Sequence, residues 1–176
     1  GQLWATTGGD TLVQLDPNSG AIVDRFGQGV QFGLAVDPTT GDLIVSTARG
    51  IERFDVDTRT FSLVSGIRVD GLAVDSDGSI YGTLWPDGGQ VVRILESGDA
   101  EVVLTLGQGV EAEGITIGPD GSRLDNLMFI STGTAGELIL LDLTSLESTT
   151  IASGGSRGDF LHVSPQGDAV FLTQSD

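Results

Sequence analysis

Three carboxylates hold the same place in a repeated six-residue stretch. The stretches are Asp70-Gly-Leu-Ala-Val-Asp75, Glu113-Gly-Ile-Thr-Ile-Gly118 and Asp159-Phe-Leu-His-Val-Ser164, and a fourth copy, Phe32-Gly-Leu-Ala-Val-Asp37, opens on an aromatic instead. If the stretches are brought side by side, Asp70, Glu113 and Asp159 converge and repel one another unless they are protonated or neutralised by a cation. A hard divalent cation such as Ca²⁺ takes roughly six to eight oxygens, which carboxylates and water can supply. The competing account is that these acids cap strand ends or face a wet channel.

Other residues of chemical interest are ordinary loop decoration or candidates for ligand contact. Arg49 can act as an anion fork and Trp85 as an apolar platform. Asp87 and Thr134 sit in equivalent loops, as do Thr7-Gly-Gly-Asp10 and Thr132. His162, the single histidine, aligns with Ala35, Ala73 and Thr116 and reads as a buried, satisfied side chain rather than a catalytic one. Gly154-Gly-Ser-Arg-Gly158 has the spacing of a nucleophile elbow but lacks the strand–turn–helix setting that motif needs. Asp75-Ser-Asp-Gly78 lacks the length and terminal Glu of a calcium loop and reads as a turn. Arg157-Gly-Asp159 resembles an adhesion tripeptide, yet its Asp already belongs to the repeated column.

The elements that must position these residues follow from the repeat. Its starts at 32, 70, 113 and 159 are separated by 38, 43 and 46 residues, the length of a four-stranded propeller blade. No segment keeps a 3.6-residue apolar period, so a helical repeat of similar length fails. Each repeat opens with a short strand (A) and a turn built on Pro, Gly, Asp or Ser, as in Asp37-Pro-Thr-Thr-Gly41 and Pro119-Asp-Gly121. Three further strands (B, C, D) follow. The N-terminal part supplies B, C and D only, and the C-terminal part A and B only. The expected order is therefore BCD, three times ABCD, then AB, with about seventeen strands over 1–176 as one propeller domain or propeller fragment.

In a closed four-bladed ring the last B strand would be surplus. The expectation is an all-β chain of about four blade-equivalents, part of a six- to eight-bladed ring or a half-ring that pairs with another chain. Open edges make self-association, or a need for further blades, the corollary. Gly1 is not a natural start, so a preceding segment is also expected.

Composition narrows the partners. There are 25 acidic residues against 8 basic, all of them Arg, for a net charge of -17. Such a surface repels phosphate backbones, which argues against nucleic acid, and it attracts divalent cations and cationic ligands. High-salt surroundings would screen the self-repulsion. With no cysteine, thiolate metal sites, disulfides and a Cys nucleophile are all excluded. No apolar run approaches a membrane span.

At its A strands and the turns after them, the chain resembles the six-bladed calcium-dependent phosphotriesterase-like superfamily, which includes gluconolactonase/regucalcin-like, virginiamycin B lyase-like and NHL-repeat propellers. Gluconolactonase-like enzymes hold a divalent metal with acidic and amide side chains at channel-facing entries to their A strands. The resemblance therefore points to Asp70 and Glu113 as metal ligands, joined by Asp159 of the same repeat column, although Phe32 departs from the pattern and the column contains no Asn. Two functions follow as expectations. The first is a secreted, extracellular or periplasmic binding module that engages a small molecule, carbohydrate or protein at its channel face, with a divalent cation. The second is a metal-dependent lactonase or lyase.

Overall fold

The turn chemistry repeats with the strands and sets their ends. Asp16, Asp55 and Asp142 each close a C-to-D turn, their Oδ1 accepting the backbone N–H groups two and three residues on at 2.7–3.0 Å. These bonds hold all three carboxyls below the usual carboxylate range. The turns then need a left-handed residue, supplied by Gly20, Arg59 and Leu146 with φ of 69°, 59° and 59°.

The computed structural model describes residues 2–6, 12–27, 29–86 and 88–175, and among them there are seventeen strands and no helix. The first sheet is β1 (Leu3–Thr6), β2 (Leu12–Leu15) and β3 (Ile22–Phe26). Three full blades follow. They are β4 (Gln31–Val36), β5 (Leu43–Thr47), β6 (Gly50–Asp55) and β7 (Thr60–Ser65); β8 (Val69–Val74), β9 (Ile80–Leu84), β10 (Gln90–Ile94) and β11 (Ala100–Thr105); and β12 (Ala112–Ile117), β13 (Leu127–Thr132), β14 (Leu138–Asp142) and β15 (Ser148–Ala152). The hairpin β16 (Arg157–Val163) and β17 (Val170–Ser175) ends the series. All pairings within these sheets are antiparallel, and no sheet joins β16 or β17 to β1–β3, so four blade-equivalents form an unclosed ring. None of the described residues forms a helix long and apolar enough to cross a membrane.

The core lies between blades. Ala35, Ile44, Val69, Leu72 and Val92 join the second sheet to the third, while Ala73, Tyr81, Ile115, Met128 and Ile130 join the third to the fourth. Strands β5 and β13 pack on both faces and are almost wholly buried, whereas the outer β15 is exposed along its length.

Each A strand bulges at its entry, where the register shifts between Gln31 and Leu34, Val69 and Leu72, Ala112 and Ile115, and Gly158 and Phe160. A strand-B hydroxyl stabilises the bulge. Thr83 Oγ1 accepts from Gly71 N at 2.7 Å and donates to Glu113 O at 2.9 Å; Ser131 Oγ accepts from Gly114 N at 3.0 Å and donates to Gly158 O at 2.9 Å. Ser46 Oγ donates likewise to Val69 O. One hydroxyl thus fixes a bulge and ties it to the next inner strand. The glycines are required by that close approach: a Cβ at Gly33 would lie 2.8 Å from Asp70 O, and one at Gly114 would lie 2.6 Å from Asp159 O.

His162 departs from expectation. It is exposed, because the face of β16–β17 that carries Phe160, His162, Phe171 and Thr173 packs against no further blade among the described residues. Its counterparts Ala35 and Ala73 are covered by the blade that follows them.

Candidate ligand site at the channel mouth

Side-by-side packing of β4, β8, β12 and β16 brings the entries of these strands to one end of a central channel. There Phe32, Asp70, Glu113 and Asp159 line a single cavity of about 650 Å³, together with Thr6, Gln31 and Arg157. The three acids that recur in sequence therefore meet in space. A smaller cavity of about 150 Å³ adjoins it, where Asp70, Glu113 and Arg157 meet Trp85 and Glu111.

Arg157 organises the charges. Its Nη2 donates to Glu113 Oε2 at 3.0 Å and its Nε donates to Asp159 Oδ1 at 2.9 Å. Glu113 is only 7% exposed. Burial pushes its carboxyl up to about 7, helped by a hydrogen bond and the charge from Asp70 and by Glu111, and opposed by Arg157. A buried carboxyl beside two further acids favours its protonated form, so Glu113 holds its proton more tightly than a free carboxyl does.

Arg157 was not legible as a site residue, although one signal pointed to it. It stands two positions before Asp159, as Arg68 does before Asp70 and Glu111 before Glu113, and alternate strand residues share a face. Arg68 is engaged elsewhere. Its guanidinium lies 4.8 Å from the Trp85 ring centroid, and Trp85 stacks on Phe32 at 5.8 Å and 27°. Trp85 remains 43% exposed and forms an aromatic wall beside the acids.

The other loop candidates stand apart. Arg49 pairs with Glu52 of its own blade at 2.5 Å and lines neither cavity. Thr134 is exposed and also lines neither, though its neighbour Gly133 abuts Glu113 and Glu111. Asp87 and the residues 7–10 lie outside the described residues.

As arranged, the mouth does not fit a resident divalent metal. The place between Glu113 and Asp159 that a cation would neutralise is taken by the Arg157 guanidinium, and among the described residues no group of three His, Cys, Asp or Glu gathers closely enough to hold an ion.

No family model and no curated protein matches the chain. Solved structures do. A gluconolactonase from Xanthomonas campestris superposes with a TM-score of 0.79 at 14% identity, over 98% of this chain and 65% of that one. A chain of the nidogen/laminin complex superposes with a TM-score of 0.78 at 14% identity, over 98% and 69%. Virginiamycin B lyase from Staphylococcus aureus, crystallised with quinupristin, gives 0.72 at 19% identity, over 99% and 60%. The chain thus spans about three-fifths to two-thirds of these structures. At such identities the likeness is one of architecture, and the architecture is a β-propeller.

Proposed function

We propose that the chain is a propeller binding module that engages a ligand at the channel mouth around Glu113. One observation carries this reading: a cavity of about 650 Å³ closes on the buried carboxyl of Glu113, with Asp70 beside it and an arginine held between two acids. Concave sites of this size with a few convergent polar groups and a perturbed carboxyl are where ligands bind. A ligand bearing positive charge or several hydrogen-bond donors satisfies Asp70, Glu113 and Asp159 by displacing Arg157. A small molecule, a carbohydrate or a basic side chain of a protein partner meets that description. A divalent cation enters the reading as a competitor of Arg157. An extracellular or periplasmic setting belongs to the proposal, since a salt-rich medium screens the charge of -17.

A second reading, a metal-dependent lactonase or lyase, has one observation in its favour: a carboxyl near 7 is tuned for acid–base work. The test is paired. Binding of methylammonium and of Ca²⁺ is followed by calorimetry, and hydrolysis of a lactone panel is followed by base consumption, each with the parent chain and Glu113→Gln. Saturable binding lost in the variant, without turnover, supports the module. Turnover lost in the variant supports the enzyme.

A further inference from the structure

The two ends of the channel differ in chemistry. Below the charged mouth lies a second cavity of about 770 Å³, walled by Trp4, Val36, Leu43, Val74, Ile117 and Val163. Leu34, Leu72, Ile115 and Leu161 line both cavities, so the two are consecutive stretches of one bore. Strand β1 stands in the wall beside β4 even though it is a B strand by its place in the repeat, and it brings Trp4 and Thr6 to the lower and upper stretches respectively. A six-residue inner strand makes the bore roughly 20 Å long.

Charge runs one way along it. At the mouth three acidic side chains meet one lining guanidinium, that of Arg157, which pairs with two of them, while Arg68 is held over Trp85. At the far rim Asp75 and Asp120 are the charged residues that line the cavity. The bore is thus apolar in its middle and acidic at its ends.

Resting on the channel-mouth reading above, we propose that the bore selects an amphipathic organic cation. Its ammonium head sits against Asp70, Glu113 and Asp159. Its apolar chain or ring runs down past Leu72, Ile115 and Leu161 toward Trp4. Charge complementarity sets the head, since an anionic or phosphate head meets carboxylates at either end. Wall composition sets the body, since apolar surface taken out of water there gains free energy without orphaning a polar group.

The test titrates the chain by calorimetry with octylammonium, butylammonium and octanoate, below any micelle threshold and at fixed ionic strength. Each methylene buried strengthens binding roughly fourfold, so octylammonium should bind at least tenfold tighter than butylammonium. Octanoate should show no saturable binding. Trp85→Phe leaves Trp4 as the sole tryptophan, and its fluorescence should shift with octylammonium but not with butylammonium. Leu161→Asn should weaken octylammonium about tenfold and spare butylammonium, whereas Glu113→Gln should weaken both. Equal affinity of the two amines, with no change at Trp4, overturns the inference and leaves the channel-mouth reading standing. Octanoate binding as tightly as octylammonium overturns the charge selection. Absence of binding by either amine overturns both readings.

Discussion

Arg157 Nη2 lies 3.0 Å from Glu113 Oε2 across 44 residues of sequence, and this contact sets the electrostatics of the channel mouth. It places a favourable charge on a buried carboxyl that also faces Asp70 and Glu111. Arg157 itself is half-exposed, so it can leave the site without unfolding it.

Arg157 should therefore compete with cations. At constant high ionic strength, Ca²⁺ should raise the melting temperature of the parent chain little beyond the general effect of salt. In Arg157→Gln, three acids stand without a counter-ion and the calcium-specific shift should grow. At about a hundredfold over Kd a ligand bound only by the folded state adds roughly 2.7 kcal/mol, which thermal melts resolve easily. Identical responses from parent and variant would show that the acids cannot gather around an ion even when the arginine is gone.

Glu113 predicts a pH dependence with a definite sign. Its folded value, about 7, lies above the unfolded reference of 4.5, so between these values the folded chain holds the proton that the unfolded chain has lost. Stability from this group is therefore present at low pH and is lost as pH rises from about 4.5 through about 7. The turn acids Asp16, Asp55 and Asp142, whose carboxyls are lowered, act in the opposite sense and lose their contribution only at lower pH. Melting temperatures across pH 4.5 to 7.5 should fall for the parent and stay flatter for Glu113→Gln. Parallel curves for the two would remove the raised Glu113 carboxyl from the account.

The glycine at the A-strand bulge predicts a large local cost. At Gly114 an added Cβ would meet Asp159 O at 2.6 Å and Ser131 Oγ at 3.1 Å, and the backbone oxygen cannot move without opening two blades. Gly114→Ala should destabilise by about 1–3 kcal/mol. Gly66→Ala, with nothing within 4 Å of its Cβ and no left-handed φ, should change stability by less than about 0.5 kcal/mol. Denaturant unfolding of the two variants makes the comparison, and equal costs would mean that the bulge is not a contact between blades.

The architecture was readable because each repeat carries its own turn chemistry. Asp-, Pro- and Gly-based turns separate short apolar runs, and the order BCD, three times ABCD, AB follows without knowledge of any contact. The acids of the site were readable for the same reason, since Asp70, Glu113 and Asp159 occupy one repeat position. Arg157 was hidden because its partner Glu113 belongs to the preceding blade, and the bulge at Gly158 and Phe160 breaks the simple strand alternation that would aim it. An exposed loop arginine such as Arg49 reads as an anion fork, and its pairing with Glu52 three residues on is not visible in the residue types alone. His162 misled because burial at its position is conferred by a following blade, which the residue type cannot reveal.

The same uncovered face yields the last prediction. Phe160 stands where the other inner strands carry Gly33, Gly71 and Gly114, and Phe171 stands where they pair with Ile44, Tyr81 and Phe129. Those counterparts of Phe171 are buried between blades, whereas Phe160 is 66% and Phe171 60% exposed. Thr173 Oγ1 accepts from Phe160 N at 3.1 Å, as Ser131 does from Gly114 N, but it donates to no inner-strand carbonyl among the described residues. Two aromatics, a histidine and a threonine thus make a face with no carboxylate on a chain of charge -17, where two copies can approach with least repulsion. The hairpin is only two strands wide, so the contact area is well below that of a stable dimer and the association should be weak. Sedimentation velocity should show mass rising with concentration and with salt. The double variant Phe160→Ser with Phe171→Ser should stay monomeric with little change in melting temperature, because neither side chain is packed in the isolated chain. A parent chain that remains monomeric across the concentration series, or a double variant that associates as the parent does, would place the adhesive surface elsewhere.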